Sequence, residues 1–195
     1  MRGFAILGLA AASLALAACD KVSVIGDDGG ELADRIAIED LLVSYYSHFG
    51  GSDDEDFAAY YTEDAVFDVN GRVAEGREAI VGIYEGLADP GAEAGEEGAA
   101  PPPSPGVFHM LITNVQVDVD GDTATARMYW TGILNPDPYA PPILQEHGRE
   151  YDLLKKQADG RWLIRKRVVV ADSAMPEDFR ETYTPRLDYD ITKPE

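Results

Sequence analysis

The second half of the chain carries two long hairpin patterns, which constrain the possible folds more than any other feature. Valines occupy every second position of 115–119, and this run ends at Asp120-Gly121. A second pair of alternating segments flanks Asp159-Gly160. Alternation with a period of two indicates strands with one buried face, and Asp-Gly is a frequent two-residue hairpin turn. The sequence therefore predicts four long antiparallel strands, which include residues 115–119, 123–134, 143–156 and 162–170.

The first half predicts helices and one short hairpin. A second helix begins at the capping pair Ser52-Asp53, and a third covers 77–87. Between them, a short strand over 65–69 leads to Asn70-Gly71, a strong signal for a two-residue turn. The order ααββα followed by four strands indicates an α+β domain, with the helices on the concave face of a curved sheet. The first helix has one apolar face at helical spacing, formed by Ile38, Leu41, Leu42, Tyr45 and Phe49.

Two segments differ in composition from this core. Residues 88–106 contain five prolines and four glycines but no large apolar residue, so they cannot form a packed core. We expect an insertion that is dispensable for folding; a lid over the site is the alternative. The tail over 173–195 holds three prolines and many charges, and is predicted to be an irregular surface strap.

The N-terminus has the form of a secretory leader. Arg2 precedes an apolar, alanine-rich run over 4–18, which is too short for a confident membrane-spanning helix. The run ends at Leu16-Ala17-Ala18-Cys19, which resembles a bacterial lipobox, where the leader is cut before an acylated cysteine. We therefore expect a signal peptide over 1–18 and a flexible tether over 19–31. We also expect a lipid anchor at Cys19, which would hold the protein on a cell membrane with the domain facing the periplasm. An ordinary cleaved signal is the alternative, and the choice between inner and outer membrane stays open.

Composition excludes several classes of function. Acidic residues number 36 against 16 basic ones, for a formal charge of −20, which disfavours binding to nucleic acid or to anionic lipid by charge. The single cysteine excludes an intrachain disulfide and any multi-cysteine metal site. The three histidines are scattered, and there is no phosphate-binding glycine loop or nucleophile elbow. The sequence predicts no metal, no cofactor and no nucleic-acid partner.

Several short runs match one known family in order. They are Ile38-Glu39-Asp40-Leu41-Leu42, Thr62-Glu63-Asp64-Ala65-Val66-Phe67, Gly76-Arg77-Glu78-Ala79-Ile80, Val117-Asp118-Val119-Asp120-Gly121 and Asp159-Gly160-Arg161-Trp162-Leu163-Ile164. Together they resemble the SnoaL-like family of the nuclear transport factor 2-like superfamily, over about 32–172. The resemblance implies a cone-shaped fold with three helices packed on a curved antiparallel sheet. The superfamily includes dehydratases, cyclases, isomerases and members with no known reaction, so the resemblance is specific for the fold rather than the function.

Tyr45 and His109 are the candidate catalytic residues. Tyr45 lies on the apolar face of the first helix and resembles the tyrosine that holds a substrate oxygen in the dehydratases; a core tyrosine is the alternative. Counting back by twos from Val115 places His109 on the inward face if no bulge intervenes. The run 109–113 resembles the strand that presents the acid/base histidine of the dehydratases, although an ordinary strand histidine gives the same pattern.

The carboxylate that orients this histidine in the dehydratases is missing. The family places an aspartate five residues after the tyrosine, where this chain has Gly50. Asp53, Asp54 or Asp68 could supply a carboxylate instead. Asp68 lies close to the position at which the ketosteroid isomerases carry their catalytic base. The two positions differ by one residue along the strand, and a shift of one residue turns a strand side chain to the other face. The predicted pocket lining is Leu41, Leu111, Trp130 and Tyr151.

Two functions are therefore open. In the first, the conical pocket binds a small, largely apolar molecule without turnover, which the missing aspartate favours. In the second, the protein is an acid/base enzyme of the dehydratase or isomerase type that uses His109 and Tyr45. A homodimer is also expected, because apolar residues on both faces of the strand at Met110 and Ile112 indicate a covered outer face, and SnoaL-like proteins often dimerise there.

Overall fold

The computed structural model describes residues 28–48, 57–88, 106–175, 177–183 and 189–193. These residues form two α-helices, two short 3-10 helices and one six-stranded sheet. The helices are α1 (Asp28–His48) and α2 (Arg77–Ala88), and the 3-10 turns cover Phe57–Tyr60 and Glu177–Phe179. The strands are β1 (Tyr61–Val69), β2 (Arg72–Glu75), β3 (Val107–Asp120), β4 (Thr123–Asn135), β5 (Ile143–Lys156) and β6 (Trp162–Ser173).

The predicted α+β class and the four long antiparallel strands are confirmed. The curved sheet has the order β2-β1-β6-β5-β4-β3. It is mixed rather than wholly antiparallel, because β1 and β6 pair in parallel. The Asn70-Gly71 turn, with φ of 54° and 89°, contributes to this pairing. The Asn70 N–H donates to the carbonyl of Val169, and its side-chain oxygen accepts from the N–H of Ala171, which attaches the β1–β2 turn to β6.

Three element boundaries differ from the predictions. α1 begins at Asp28, so the last residues of the predicted tether are helical. The described part of the predicted second helix is a single 3-10 turn over Phe57–Tyr60, and β1 starts at Tyr61, four residues earlier than predicted. The leader, Cys19, Gly50, Asp53, Asp54 and nearly all of the 88–106 insertion lie outside the described residues.

The core lies between α1 and one face of the sheet, called here the inner face. α1 buries Ile38, Leu42 and Tyr45 against it, and burying an aliphatic side chain of this size contributes about 1.5–3 kcal/mol. Asp34, near the start of α1, accepts a hydrogen bond from the indole N–H of Trp162 at 3.0 Å and pairs with Lys156 at 2.7 Å. These contacts fix the helix over the β5–β6 hairpin and determine where its last turns meet the sheet. Neither α1 nor α2 is long and apolar enough to cross a bilayer.

A β-bulge interrupts β3 at Asn114, whose φ is 54°. The pairing with β4 shifts between Thr113 and Gln116, so one extra residue is inserted into β3. Val115 and Val117 point inward after the bulge, and Met110 and Ile112 point inward before it. The residues that alternate with Met110 and Ile112 before the bulge therefore face outward; they are 107, 109, 111 and 113.

The C-terminal tail covers part of the outer face of the sheet. Tyr183, Tyr189 and Ile191 pack against residues of β5 and β6, while Phe179 is buried in the main core. In the described residues the predicted strap is thus anchored by apolar side chains at both ends. It covers β5 and β6 and leaves the outer side of β3 and β4 exposed: Val107, Leu111 and Tyr129 are among the exposed large apolar residues.

Candidate functional site

Three charged side chains lie completely buried on the inner face of the sheet. Glu150 and Asp152 are two residues apart on β5, so both point to the same face. Arg167 of β6 pairs with Asp152 in the strand register. The side chains of all three have 0% exposure. Charges are seldom buried this deeply unless they are paired, so the contacts of this cluster decide what it can do.

The guanidinium of Arg167 is held along one edge by the carboxylates. Its Nε donates to Asp152 Oδ1 at 2.8 Å, and its Nη2 donates to Asp152 Oδ2 at 3.1 Å. Nη2 also lies 2.9 Å from Glu150 Oε1, an ionic contact without hydrogen-bond geometry. Two parallel bonds from a planar fork to one carboxylate fix the orientation as well as the position of the cation.

α1 supplies the aromatic part of the same site. The guanidinium carbon of Arg167 lies 4.1 Å from the ring centroid of Tyr45, within the range of a cation–π contact. The rings of Tyr46 and Tyr61 lie 5.9 Å away. The Tyr46 hydroxyl donates to Glu150 Oε2, so consecutive tyrosines of one helix contact opposite parts of the cluster.

Burial changes the proton affinities of these groups. It raises the pKa of Glu150 to about 8, and the nearby Asp152 raises it further, against the opposing effects of Arg167 and Tyr46. Burial and the charge of Glu150 hold the pKa of Tyr46 well above its ordinary value. Burial also lowers the pKa of Arg167, but Asp152 and Glu150 more than offset this, and Arg167 stays charged. At neutral pH, Glu150 therefore carries a proton beside a fixed cation.

Two atoms of the cluster lack hydrogen-bond partners among the described residues. They are Arg167 Nη1 and Glu150 Oε1. A buried donor without a partner costs about 1–3 kcal/mol, so natural proteins seldom keep one without an occupant such as a ligand or a water molecule. Arg167 Nη1 is therefore a free donor held in place inside an aromatic and charged interior.

Tyr45 and His109 are not brought to the same face. Tyr45 is 2% exposed and points inward as predicted, and its ring covers Arg167. The predicted inward orientation of His109 is wrong: it is exposed on the outer face, because the bulge at Asn114 reverses the alternation that was counted back from Val115. The structure therefore gives no geometric support to a catalytic pair of Tyr45 and His109.

Asp68 also points away from the interior. It is 1% exposed and alternates with Phe67 and Val69, which face the core. Its Oδ1 accepts from the N–H of Gly71 at 2.7 Å, which supports the β1–β2 turn. The one-residue register difference from the isomerase pattern therefore places this carboxylate on the outer side of the sheet.

The four predicted lining residues are divided between the two faces. Leu41 packs against the core from α1, and Trp130 is buried on the inner face of β4. Leu111 is exposed on the outer face, and Tyr151 packs there against the C-terminal tail. Only Leu41 and Trp130 can therefore line an interior site, and the prediction for Leu111 and Tyr151 is wrong.

Sequence reasoning missed the charged cluster, although a signal was present. Glu150 and Asp152 alternate within an otherwise ordinary strand pattern, and Arg167 ends the basic run Arg165-Lys166-Arg167, directly before the apolar residues 168–171. Asp152 and Arg167 each lie seven residues from the Asp159-Gly160 turn, so the hairpin register alone pairs them. No group of three or more histidine, cysteine or acidic side chains in the described parts of the chain is arranged to hold a metal ion.

The matching family profile describes a SnoaL-like domain and covers residues 30–168, well over half of the chain. The chain belongs to the SnoaL-like family. Its SnoaL-like domain is similar to a protein of unknown function from Mycobacterium tuberculosis, with 26% identity over 76% of this chain and 78% of that one, and a TM-score of 0.60. No protein in the curated set matches the sequence.

Two further solved structures show the same fold at lower identity. A nuclear transport factor 2-like protein with a cystatin-like fold, from Novosphingobium aromaticivorans, is 20% identical over 79% of this chain and 91% of its own, with a TM-score of 0.55. A protein from Catenulispora acidiphila, in complex with S-DNPA, is 22% identical over 72% of this chain and 95% of its own, with a TM-score of 0.57. The cone-shaped fold expected from the sequence is thus confirmed.

Proposed function

We propose that this SnoaL-like domain binds a small, largely apolar molecule between α1 and the inner face of the sheet. The observation that carries the proposal is the buried Arg167 cluster, with its free donor, inside an aromatic interior. Small-molecule sites are commonly apolar and aromatic, with a few polar groups that orient the ligand. The aromatic wall on the helix side comprises Tyr45, Tyr46, Phe57, Tyr60 and Tyr61.

The energetics of the cluster support a role beyond folding. Moving a charge into a protein interior costs several kcal/mol, and well-packed apolar residues of similar volume often stabilise a core equally well or better. A fully buried ion pair of Arg167 and Asp152, with the buried carboxyl of Glu150 and an unsatisfied nitrogen beside it, is a poor choice for stability alone. A ligand oxygen on Arg167 Nη1 would remove this penalty. The protein from Catenulispora acidiphila, with the same fold, holds a small ligand.

A second candidate is acid/base catalysis of the dehydratase or isomerase type. The specific observation is Glu150, whose pKa burial raises to about 8 and whose carboxyl contacts the Tyr46 hydroxyl. A carboxyl that exchanges its proton near neutral pH suits general acid or base catalysis. In this alternative the proton-transferring group is Glu150 rather than His109, and Tyr45 remains an inward-facing neighbour.

One experiment separates the two functions. The purified full-length protein is incubated with a mixture of small apolar compounds, washed, and its retained molecules are identified by mass spectrometry. Binding predicts retention of an unchanged compound, whereas the enzyme alternative predicts loss of water or isomerisation in an excess of substrate. Failure to retain any compound, together with no conversion of any compound in the mixture, would contradict both.

We further propose that the protein is attached to a membrane on the periplasmic side through acyl chains on Cys19. The support is the lipobox-like run before the single cysteine. Each acyl methylene buried in a bilayer contributes about 0.8 kcal/mol, so the acyl chains of a lipoprotein would hold the domain without help from charge. Cys19→Ser should move the protein out of the membrane fraction of its bacterial host. Unchanged fractionation would contradict the anchor.

A homodimer through the outer face is proposed as well. Met110 and Ile112 pack inward, so they do not supply the apolar surface expected there. The exposed residues are Val107, Leu111 and Tyr129, on the part of the sheet that the described tail leaves uncovered. Sedimentation in mild detergent should give a dimer that Leu111→Glu dissociates. A wild-type monomer at high micromolar concentration would contradict this.

A further inference from the structure

We infer that the homodimer proposed above is controlled by pH through His147, which lies within the surface that the two copies share. The inference rests on the proposed homodimer and adds its regulation. The dimer forms while this imidazole is neutral and dissociates when the imidazole is protonated.

The strand register places His147 among the apolar residues of the outer face. It pairs with Thr131 of β4, which pairs in turn with Leu111 of β3. Residues that lie opposite each other on neighbouring antiparallel strands share one face of a sheet. The surface around the imidazole, called here the outer patch, therefore consists of residues 107, 109, 111 and 113 of β3, 129, 131 and 133 of β4, and 144 and 147 of β5.

The composition of the outer patch favours a second copy of this chain as its partner. The chain has a formal charge of −20, so two copies repel each other as they approach. The outer patch contains no acidic residue, and its exposed large apolar side chains are Val107, Leu111, Tyr129 and Leu144. Two copies can therefore meet here with the least repulsion and the largest gain from apolar burial. In a two-fold dimer the patch packs against its own copy, so His147 of both copies is buried in one interface.

The contacts of His147 suit the neutral form of its ring. The ring is half-buried and stacks on that of Tyr129, with 6.0 Å between the centroids and an angle of 21° between the planes. Its Nδ1 lies 2.9 Å from Thr131 Oγ1, at hydrogen-bond distance. A neutral imidazole held in this way extends the flat aromatic part of the outer patch, which a second copy can cover at little cost.

The charged and titratable groups around His147 do not compensate a positive charge there. On β5, Arg149 is a cation two residues away on the same face, and on β6 both oxygens of Asp172 accept hydrogen bonds from Arg149. β4 contributes Tyr129, and β3 contributes His109, which gains a positive charge of its own in acid. The second copy brings the same cations to the interface. A protonated His147 is therefore repelled by like charges and loses its hydration when the dimer forms.

The expected direction is opposite to that of general charge repulsion. Acidification makes this chain less negative, which by itself strengthens association between copies. Protonation of His147 within the interface weakens association instead. An ordinary imidazole is about nine-tenths neutral near pH 7.5 and about one-tenth neutral near pH 5.5. A dimer that needs the neutral ring in both copies should therefore have a Kd about 100-fold higher near pH 5.5.

Sedimentation equilibrium of the full-length protein in mild detergent, at these two pH values, tests the inference. The wild type should show the rise in Kd on acidification. His147→Phe keeps a flat ring against Tyr129 but does not titrate, so it should nearly abolish the pH dependence. His147→Arg is always charged and should be monomeric at both pH values. His109→Gln, which removes another histidine of the outer patch, is the matched control and should keep most of the dependence.

Two controls keep the result specific to His147. The emission of the buried Trp130 shows at each pH that every variant is folded. Glu150, on the inner face, also changes protonation in this range because burial raises its pKa to about 8, and the comparison of wild type with His147→Phe cancels its contribution.

The outcomes separate the regulation from the dimer itself. A wild-type dimer with the same Kd at both pH values, or with a lower Kd in acid, would overturn the inference and leave the homodimer standing. An undiminished pH dependence in His147→Phe, or its loss in His109→Gln, would overturn the assignment to His147. A wild-type monomer at both pH values and high micromolar concentration would contradict the homodimer and the inference together.

Discussion

Replacement of Glu150 by glutamine should make the stability of this domain less dependent on pH. Glutamine keeps the shape of the side chain and the capacity to bond Tyr46 and Arg167, but it does not titrate. In the folded protein, burial raises the pKa of Glu150 from its ordinary 4.5 to about 8. At a pH between 4.5 and about 8, Glu150 keeps its proton in the folded state and releases it in the unfolded chain. The free energy of unfolding of the wild type therefore falls as the pH rises through this window.

The magnitude follows from the two pKa values. One proton of difference corresponds to a slope of about 1.4 kcal/mol per pH unit. With the pKa of Glu150 at about 8 when folded, the wild type should lose about 2–3 kcal/mol relative to Glu150→Gln between about pH 5 and pH 7. The comparison cancels the contributions of all other ionisable groups, which both proteins share.

The assay is chemical denaturation followed by tryptophan fluorescence at several pH values. Trp130 and Trp162 are both buried, so unfolding changes their emission. Glu39→Gln, which changes an exposed glutamate of α1, is the matched control and should follow the wild type. A wild-type curve parallel to that of Glu150→Gln across this range would refute the reasoning, because Glu150 would then be ionised in the folded protein.

Three further predictions address the cluster, the bulge and the insertion. Arg167→Met should lower the free energy of unfolding by about 3–5 kcal/mol in the same denaturation assay, because it leaves two buried acidic groups without their cation. A triple variant that also carries Glu150→Leu and Asp152→Leu should recover most of this loss. Asn114→Val should cost about 1–3 kcal/mol because a β-branched residue is strained at a φ of 54°, while Asn114→Gly should cost much less; equal stability of the two would argue against a required bulge. Replacing residues 89–105 by a short Gly/Ser loop should change the melting temperature little, since the cost of closing a loop depends weakly on its length, and a large drop would show that this segment packs.

Most local elements of this protein could be predicted from the sequence alone. The hairpin turns at 120–121 and 159–160, the apolar face of α1 and the Asn70-Gly71 turn were readable because each depends on residues close together in the chain. Turn geometry requires residues that tolerate a positive φ, and helix burial requires a fixed spacing of apolar side chains. The family resemblance, spread over the same elements, was enough to indicate the fold.

The faces that the candidate residues occupy depend on the packing of the whole domain. The bulge at Asn114 turned His109 outward; asparagine tolerates a positive φ, but the sequence does not show which asparagine of a strand will adopt one. The parallel pairing of β1 with β6 joins segments about a hundred residues apart, which turn chemistry does not specify. The Arg167 cluster required both this sheet and the placement of α1, because its tyrosines and its charges come from opposite sides of the core. A buried charge is tolerated only where such distant partners converge, so its site is a property of the packed fold rather than of any one segment.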